Sequence, residues 1–256
     1  MLAILSPARN IHPVALECVT PERPLFPKQI MRIIKVLKGY SAWQLESLLD
    51  VDPQRAFEFY DLYQNFDMDA PGTAALLSYY GAAFRNLNAQ EFNSGAFSFA
   101  QSHLRILSAL YGLLRPADGI LPYRLGIKRD FLIGGKDLYS FWGDRIYKAL
   151  FQSKEPVVSL TSLDYSKLIT PYLKPGDTLI NCRFLVQKPG GARGTVSTVR
   201  MARGQMARYL VKNRITEPEG LKGFDWEGYR FIESRSDEHN YVFVQEQKDR
   251  SIFTFE

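Results

Sequence analysis

Two arginines flank an apolar stretch in the middle of the chain, LRILSALYGLLRP from Leu104 to Pro116, with Ser108, Ala109 and Gly112 between them. A guanidinium stays charged and offers a planar fork of donors, so it suits phosphate oxygens, and small residues between two such groups let a ligand approach the backbone. At roughly 100° per residue, Leu104, Leu107, Leu110, Tyr111 and Leu114 share one side of a helix, and Arg105, Ser108, Ala109, Gly112 and Arg115 the other. Glycine inside a helix costs on the order of 1 kcal/mol relative to alanine, which a close approach would offset. The spacing predicts a helix from near Ser94 to before Pro116, with a core face and a phosphate-binding face. Tight packing, with the arginines in ion pairs, is the alternative for that strip.

A similar arrangement recurs in TVRMARGQMARYLVKNR, where Arg200, Arg203 and Arg214 project to one side of a helix and Arg208 and Lys212 add charge. Its alternative is a solvated surface. Between these stretches, PYRLGIKRDF offers Tyr123 for stacking on a base and Arg124, Lys128 and Arg129 for phosphates. Sequence-independent affinity for nucleic acid needs several cations on one surface. LESLLDVDPQRA, from Leu45 to Ala56, has the spacing of a helix-hairpin-helix element. Asp50 and Asp52 stand at its turn, where glycine amides would ordinarily receive a phosphate, and two carboxylates repel one.

Catalytic chemistry has weaker candidates. Asp144 in YSFWGDR and Asp164 in SLDY are the carboxylates placed to assist a proton transfer, Asp144 alternatively pairing with a cation. The sequence carries no GxSxG, Walker A, dinucleotide or HExxH motif. Cys18 and Cys182 are far apart and His12, His103 and His239 are scattered, so no disulfide framework, metal site or cofactor is expected.

These side chains must be positioned by a sizeable fold. With 256 residues, 46% hydrophobic and 23% charged, the chain can close a large core, and its net charge of +5 is a mild basic excess in which placement matters more than the sum. LAIL at the start reads as a buried strand stopped by Ser6-Pro7. Pro13, Pro21 and Pro24 punctuate an extended wrap, after which helices run from Pro27, from Ser41 as a cap, and from Pro53 to Phe66. Leu76 to Gly81 is read as a strand, Asp137 caps a helix, and Val157 to Leu160 is a second buried strand. Asp177 to Gln187 and Thr195 to Val199 are read as a hairpin turning at Lys188-Pro-Gly-Gly191 and followed by a helix from about Ala202 to Asn213. Thr216 to Glu219 has capping-box spacing, and Tyr229 to Ile232 with Tyr241 to Val244 form a closing hairpin. The expectation is one α+β domain over residues 1–256, a mixed sheet surrounded by helices. No signal peptide or stretch of about 20 apolar residues is present, which predicts a cytoplasmic protein without membrane contact, a monomer by preference.

LSPAR, HLRILSALYGLLRPADGILPYRL, GKDLYSFWGD, ARGQMARYLVKNR and FDWEGYRF, in this order, resemble the signature segments of the bacterial YaaA peroxide-stress-resistance family. The resemblance runs from Met1 to about Val244. It implies the family's α+β fold with a helix-hairpin-helix, a positively charged cleft binding duplex or locally opened DNA, and a part in limiting iron-linked oxidative damage. The positions it carries onto that cleft are Arg9, Arg105, Arg115, Tyr123, Arg124, Arg200 and Arg203. This chain departs from the family pattern where YRLEMG is usual, since Leu125 is followed directly by Gly126 and the glutamate is missing. Met201 and Gln245 stand where cations are common.

Overall fold

β1, Leu2–Leu5, lies at the centre of the main sheet and is buried at every position, as a strand covered on both faces must be. The sheet's other strands are β2 (Leu104–Ser108), β3 (Gly112–Leu114), β4 (Val157–Leu160), β5 (Leu179–Lys188), β6 (Gly191–Arg193), β7 (Tyr229–Phe231) and β8 (Asn240–Gln245). Their order is β7-β8-β5-β4-β1-β2-β3, with β6 paired to β5. β2, β1, β4, β5 and β8 run parallel, while β3, β6 and β7 pair antiparallel at the margins. The computed structural model describes residues 1–127, 130–188 and 191–245, so Lys128, Arg129 and the Pro189-Gly190 turn lie outside the described residues.

Helices flank the sheet. α1 (Pro27–Leu37) starts on its proline and buries Ile30, Ile33, Ile34 and Leu37. α2 (Ala42–Leu49) is closed at its start by a capping box in which Ser41 accepts from the Gln44 amide, 3.3 Å, and the Ser41 amide donates to Gln44, 2.9 Å. α3 (Pro53–Gln64) has Asp52 as its cap. α4 (Ala82–Leu87), α5 (Ser94–His103) and α6 (Val196–Lys212) complete the elements that matter for the site. Both closing strands, β7 and β8, pair antiparallel as their sequence suggests. No helix among the described residues is long and apolar enough to cross a membrane.

The sharpest departure from the sequence reading is at Leu104–Leu114, which is a strand hairpin and not a helix. α5 stops at His103, and the chain enters β2, turns, and returns as β3. Ile106 to Leu114 are all buried, so the leucine spacing carries no face; a central strand is apolar on both sides. Ser108 and Ala109 are fully buried, which removes the small cationic strip. Gly112 has φ +76°, and a β-carbon there would lie 2.6 Å from the Trp142 ring, so turn and packing account for the glycine.

Other boundaries move for local reasons. Ala75–Ser78 is a helical turn, and only Tyr79–Tyr80 is extended. Thr195 to Val199 is not a strand: the Thr195 hydroxyl accepts from the Thr198 amide, 3.3 Å, and starts α6 at Val196. Arg214 lies beyond α6 at φ +50°, stacked 5.9 Å from the Phe99 ring. Pro218–Gly223 forms a 3-10 turn with no side-chain cap, so the Thr216 capping box is absent.

Candidate functional site

The parallel strands are wired outward from the middle of the sheet. From β1 the chain reaches β2 on one side, whereas β4, β5 and β8 follow one another on the other. The direction of winding reverses between β1 and β4, and in open sheets the crevice outside the carboxyl ends of such a pair is the usual ligand site. A cavity of about 700 Å³ opens there. Ser6 to Asn10 reach it from the end of β1, and Ser162, Asp164 and Tyr165 from the end of β4. The two strand ends are tied together, since the Ser6 hydroxyl accepts from the Ser162 amide at 2.8 Å and lies 3.4 Å from the Ser162 hydroxyl.

α6 supplies the far wall. A β-carbon at Gly204 would come within 1.9 Å of the Ala83 carbonyl oxygen, so the helix can lie against α4 only because that position is glycine. The Gln205 amide donates to Asn86, 3.2 Å, and the Arg208 guanidinium donates to the carbonyls of Leu87 and Asn88, 3.1 Å each, and pairs with Glu91. Arg208 therefore serves structure. Clamped this way, one turn of α6 turns Arg200 and Arg203 into the cavity. Arg200 and Arg9 are exposed and Arg203 is partly buried. Burial and the neighbouring Arg200 depress the Arg203 pKa, and its buried Nε has no hydrogen-bond partner. No acidic group within ion-pair distance of Arg9, Arg200 or Arg203 is found among the described residues.

Tyr123 and Arg124 line the cavity from the chain that follows β3. Tyr123 is 5% exposed, its hydroxyl 2.8 Å from that of Tyr79 and 2.7 Å from that of Ser108, and burial pushes the phenol up to about 12. It is a wall residue with its hydroxyl already engaged, where the sequence suggested an open stacking platform. The Arg124 Nε donates to the Leu49 carbonyl, 3.1 Å, and a terminal nitrogen to that of Asp50, 3.3 Å. Tyr63 donates to the Arg124 carbonyl, 2.7 Å, and accepts from its amide, 3.2 Å. Arg124 thus fastens the α2–α3 turn to the cavity, and Asp50 lines it as well. At the same turn, Asp52 accepts from the Arg55 amide, 2.9 Å, so its carboxylate already occupies the helix N-terminus.

Arg105 and Arg115 are not among the cavity's lining residues. Arg115 grips the fully buried Asp118, 2.7 Å, and Glu22, 3.0 Å. Arg105 donates to the carbonyls of Gln101, 2.8 Å, and Leu104, 2.7 Å. Asp144 lies outside the cavity too, paired to Lys148 at 2.7 Å, and that hydrogen bond holds its carboxyl below the ordinary value. Asp164 does line the cavity. Sequence reasoning passed over Ser6, Ser162 and Gly204 as site residues; a serine within two residues of the end of each buried strand was the available signal for the first two. Among the described residues no group of three or more His, Cys, Asp and Glu side chains is placed to hold a metal ion, and Cys18 and Cys182 are free.

The family model described as peroxide stress protein YaaA matches residues 1–235 of the chain. Full-length bacterial relatives agree with it. A UPF0246 protein of Clostridioides difficile strain 630 is 35% identical over 247 residues, covering 96% of this chain and all of that protein. One from Lactiplantibacillus plantarum is 35% identical over 247 residues, 95% of this chain and 99% of that protein, and one from Parabacteroides distasonis 35% over 254 residues, 96% and 100%.

Proposed function

The chain belongs to the YaaA peroxide stress protein family, and on that premise we propose that it binds DNA through phosphate contacts at the cavity between β1 and β4. The observation carrying this reading is that Arg9, Arg200 and Arg203 line one concavity without an acidic partner among the described residues. Guanidinium groups that share a surface and are not held in ion pairs attract polyanions, and phosphate contacts fix position without reading sequence. In this reading α2 and α3 act as the helix-hairpin-helix element, contributing shape and the carbonyls that anchor Arg124 rather than an anion pocket, because Asp52 fills the helix terminus. In this reading the chain's protective role under peroxide is to cover DNA against iron-driven oxidation in the cytoplasm.

A salt titration tests the reading. Fluorescence anisotropy with a labelled duplex, and with the same duplex opened at its centre, should show affinity falling steeply between roughly 50 and 200 mM salt, at about 0.9 log units per log unit of salt for each phosphate neutralised. Affinity indifferent to ionic strength refutes it. A second reading, an enzyme acting on a nucleotide or damaged DNA, draws on Asp164 in the same cavity. Turnover of oxidised oligonucleotides that is lost in Asp164→Asn would establish it.

A further inference from the structure

We propose that the cavity itself receives a single nucleotide unit, with the phosphate on Arg200 and Arg203 and the sugar and base enclosed toward Asp164. This deepens, and rests on, the phosphate-binding reading of the same cavity. Size is the first argument. The volume of about 700 Å³ falls among pockets for small organic ligands, roughly 300–1,000 Å³. A duplex whose major groove alone is about 12 Å wide can lie across the mouth but cannot enter.

Charge distribution is the second. The cations Arg9, Arg200 and Arg203 share the cavity with two carboxylates, Asp50 and Asp164, and with the hydroxyls of Ser6 and Ser162. A bare anion matches only the cations, whereas a carboxylate has acceptor positions beyond a single partner. A nucleoside phosphate is bipolar in the same sense, anionic at one end and rich in hydroxyl and amino donors at the other. The third argument is Arg203 itself. Its Nε is a buried donor with no partner, and its guanidinium is set beside the like charge of Arg200, a repulsion that an incoming phosphate offsets. Lastly, the location outside the carboxyl ends of diverging parallel strands is where open α/β sheets bind mononucleotides.

The same chemistry has two sources, a free nucleotide or one extruded from a strand, and two arms of one experiment separate them. In the first, calorimetry compares dAMP, deoxyadenosine and inorganic phosphate on the full chain. dAMP should bind at least tenfold tighter than either fragment; Arg203→Ala should lose the advantage over deoxyadenosine, and Asp164→Asn the advantage over phosphate, with both variants melting like the parent. In the second, a duplex carries one 2-aminopurine opposite an abasic site. A fluorescence change on binding that dAMP reverses supports the inference with the strand as source. A silent fluorophore with tight dAMP binding supports it with the free nucleotide as source. If dAMP binds no better than phosphate and the fluorophore stays silent while duplex binding persists, the inference is overturned and the DNA reading survives. Tight dAMP binding with no affinity for any duplex at low salt leaves the inference standing and removes the DNA reading.

Discussion

Arg200 and Arg203 on α6, and Arg105 and Arg115 beside the β2–β3 hairpin, are the same residue type in similar sequence settings, yet the fold puts them to opposite uses. The second pair is spent on structure. Arg115 neutralises the buried Asp118 and reaches Glu22, and Arg105 satisfies two carbonyls at the end of α5. The first pair lines a cavity and makes no ion pair among the described residues. What decides whether an arginine is available to a ligand is the count of acceptors within reach of it, not the basicity of its segment.

That contrast can be broken in order of expected effect. Replacing both Arg200 and Arg203 by alanine should weaken duplex binding by about 100-fold or more, since a hydrogen bond to a charged group contributes roughly 1.5–3 kcal/mol. The double variant should melt no lower than the parent, because the buried Arg203 Nε has no hydrogen-bond partner and neither arginine makes an ion pair among the described residues. Gly204→Ala attacks the same pair indirectly. The added methyl would collide with the Ala83 carbonyl, so thermal melting should show a loss of about 1–3 kcal/mol and binding should weaken as α6 is pushed away.

Arg115→Ala should do the reverse, leaving DNA affinity within about twofold while costing about 1–3 kcal/mol of stability, because a buried carboxylate loses its guanidinium donors and keeps only the backbone amide of residue 115. This loss has a pH signature. Burial raises the Asp118 pKa above the ordinary 3.8, and the hydrogen bonds from Arg115 pull it back. A carboxyl raised in the folded state favours folding below its unfolded pKa and loses that contribution as pH rises through its folded value. Removing Arg115 lifts the folded value further, so the deficit measured by melting should be largest near neutrality and shrink toward about pH 4. The smallest effect concerns the cavity: guanidinium groups stay protonated, so DNA affinity should be flat between about pH 6 and 9, and a titration in that range would implicate another group.

Elements bounded by unambiguous local chemistry were legible from sequence. LAIL and Val157–Leu160 are short, mostly apolar runs with serines soon after, and Pro27, Ser41 and Pro53 mark helix starts for steric or capping reasons, although the capping role of Asp52 was not read. The Leu104–Leu114 hairpin was not, because a strand buried on both faces is apolar throughout and its leucines fell by chance at three- and four-residue intervals. The same error grouped Arg105 and Arg115 with the cavity. RPAD contained the correction, since Asp118 sits three residues after Arg115 and reaches its guanidinium across the turn. Arg9, Tyr123, Arg124, Arg200 and Arg203 do share one cavity, although nothing in the sequence indicated that Gly204 is what brings α6 to it.

The most direct test is a chemical footprint of the arginines. Phenylglyoxal modification, read residue by residue by mass spectrometry with and without a saturating duplex at low salt, should show protection at Arg9, Arg200 and Arg203 and unchanged reactivity at Arg105 and Arg115. Protection confined to Arg105 and Arg115, or none at any of the five under conditions where the duplex is bound, would contradict the account.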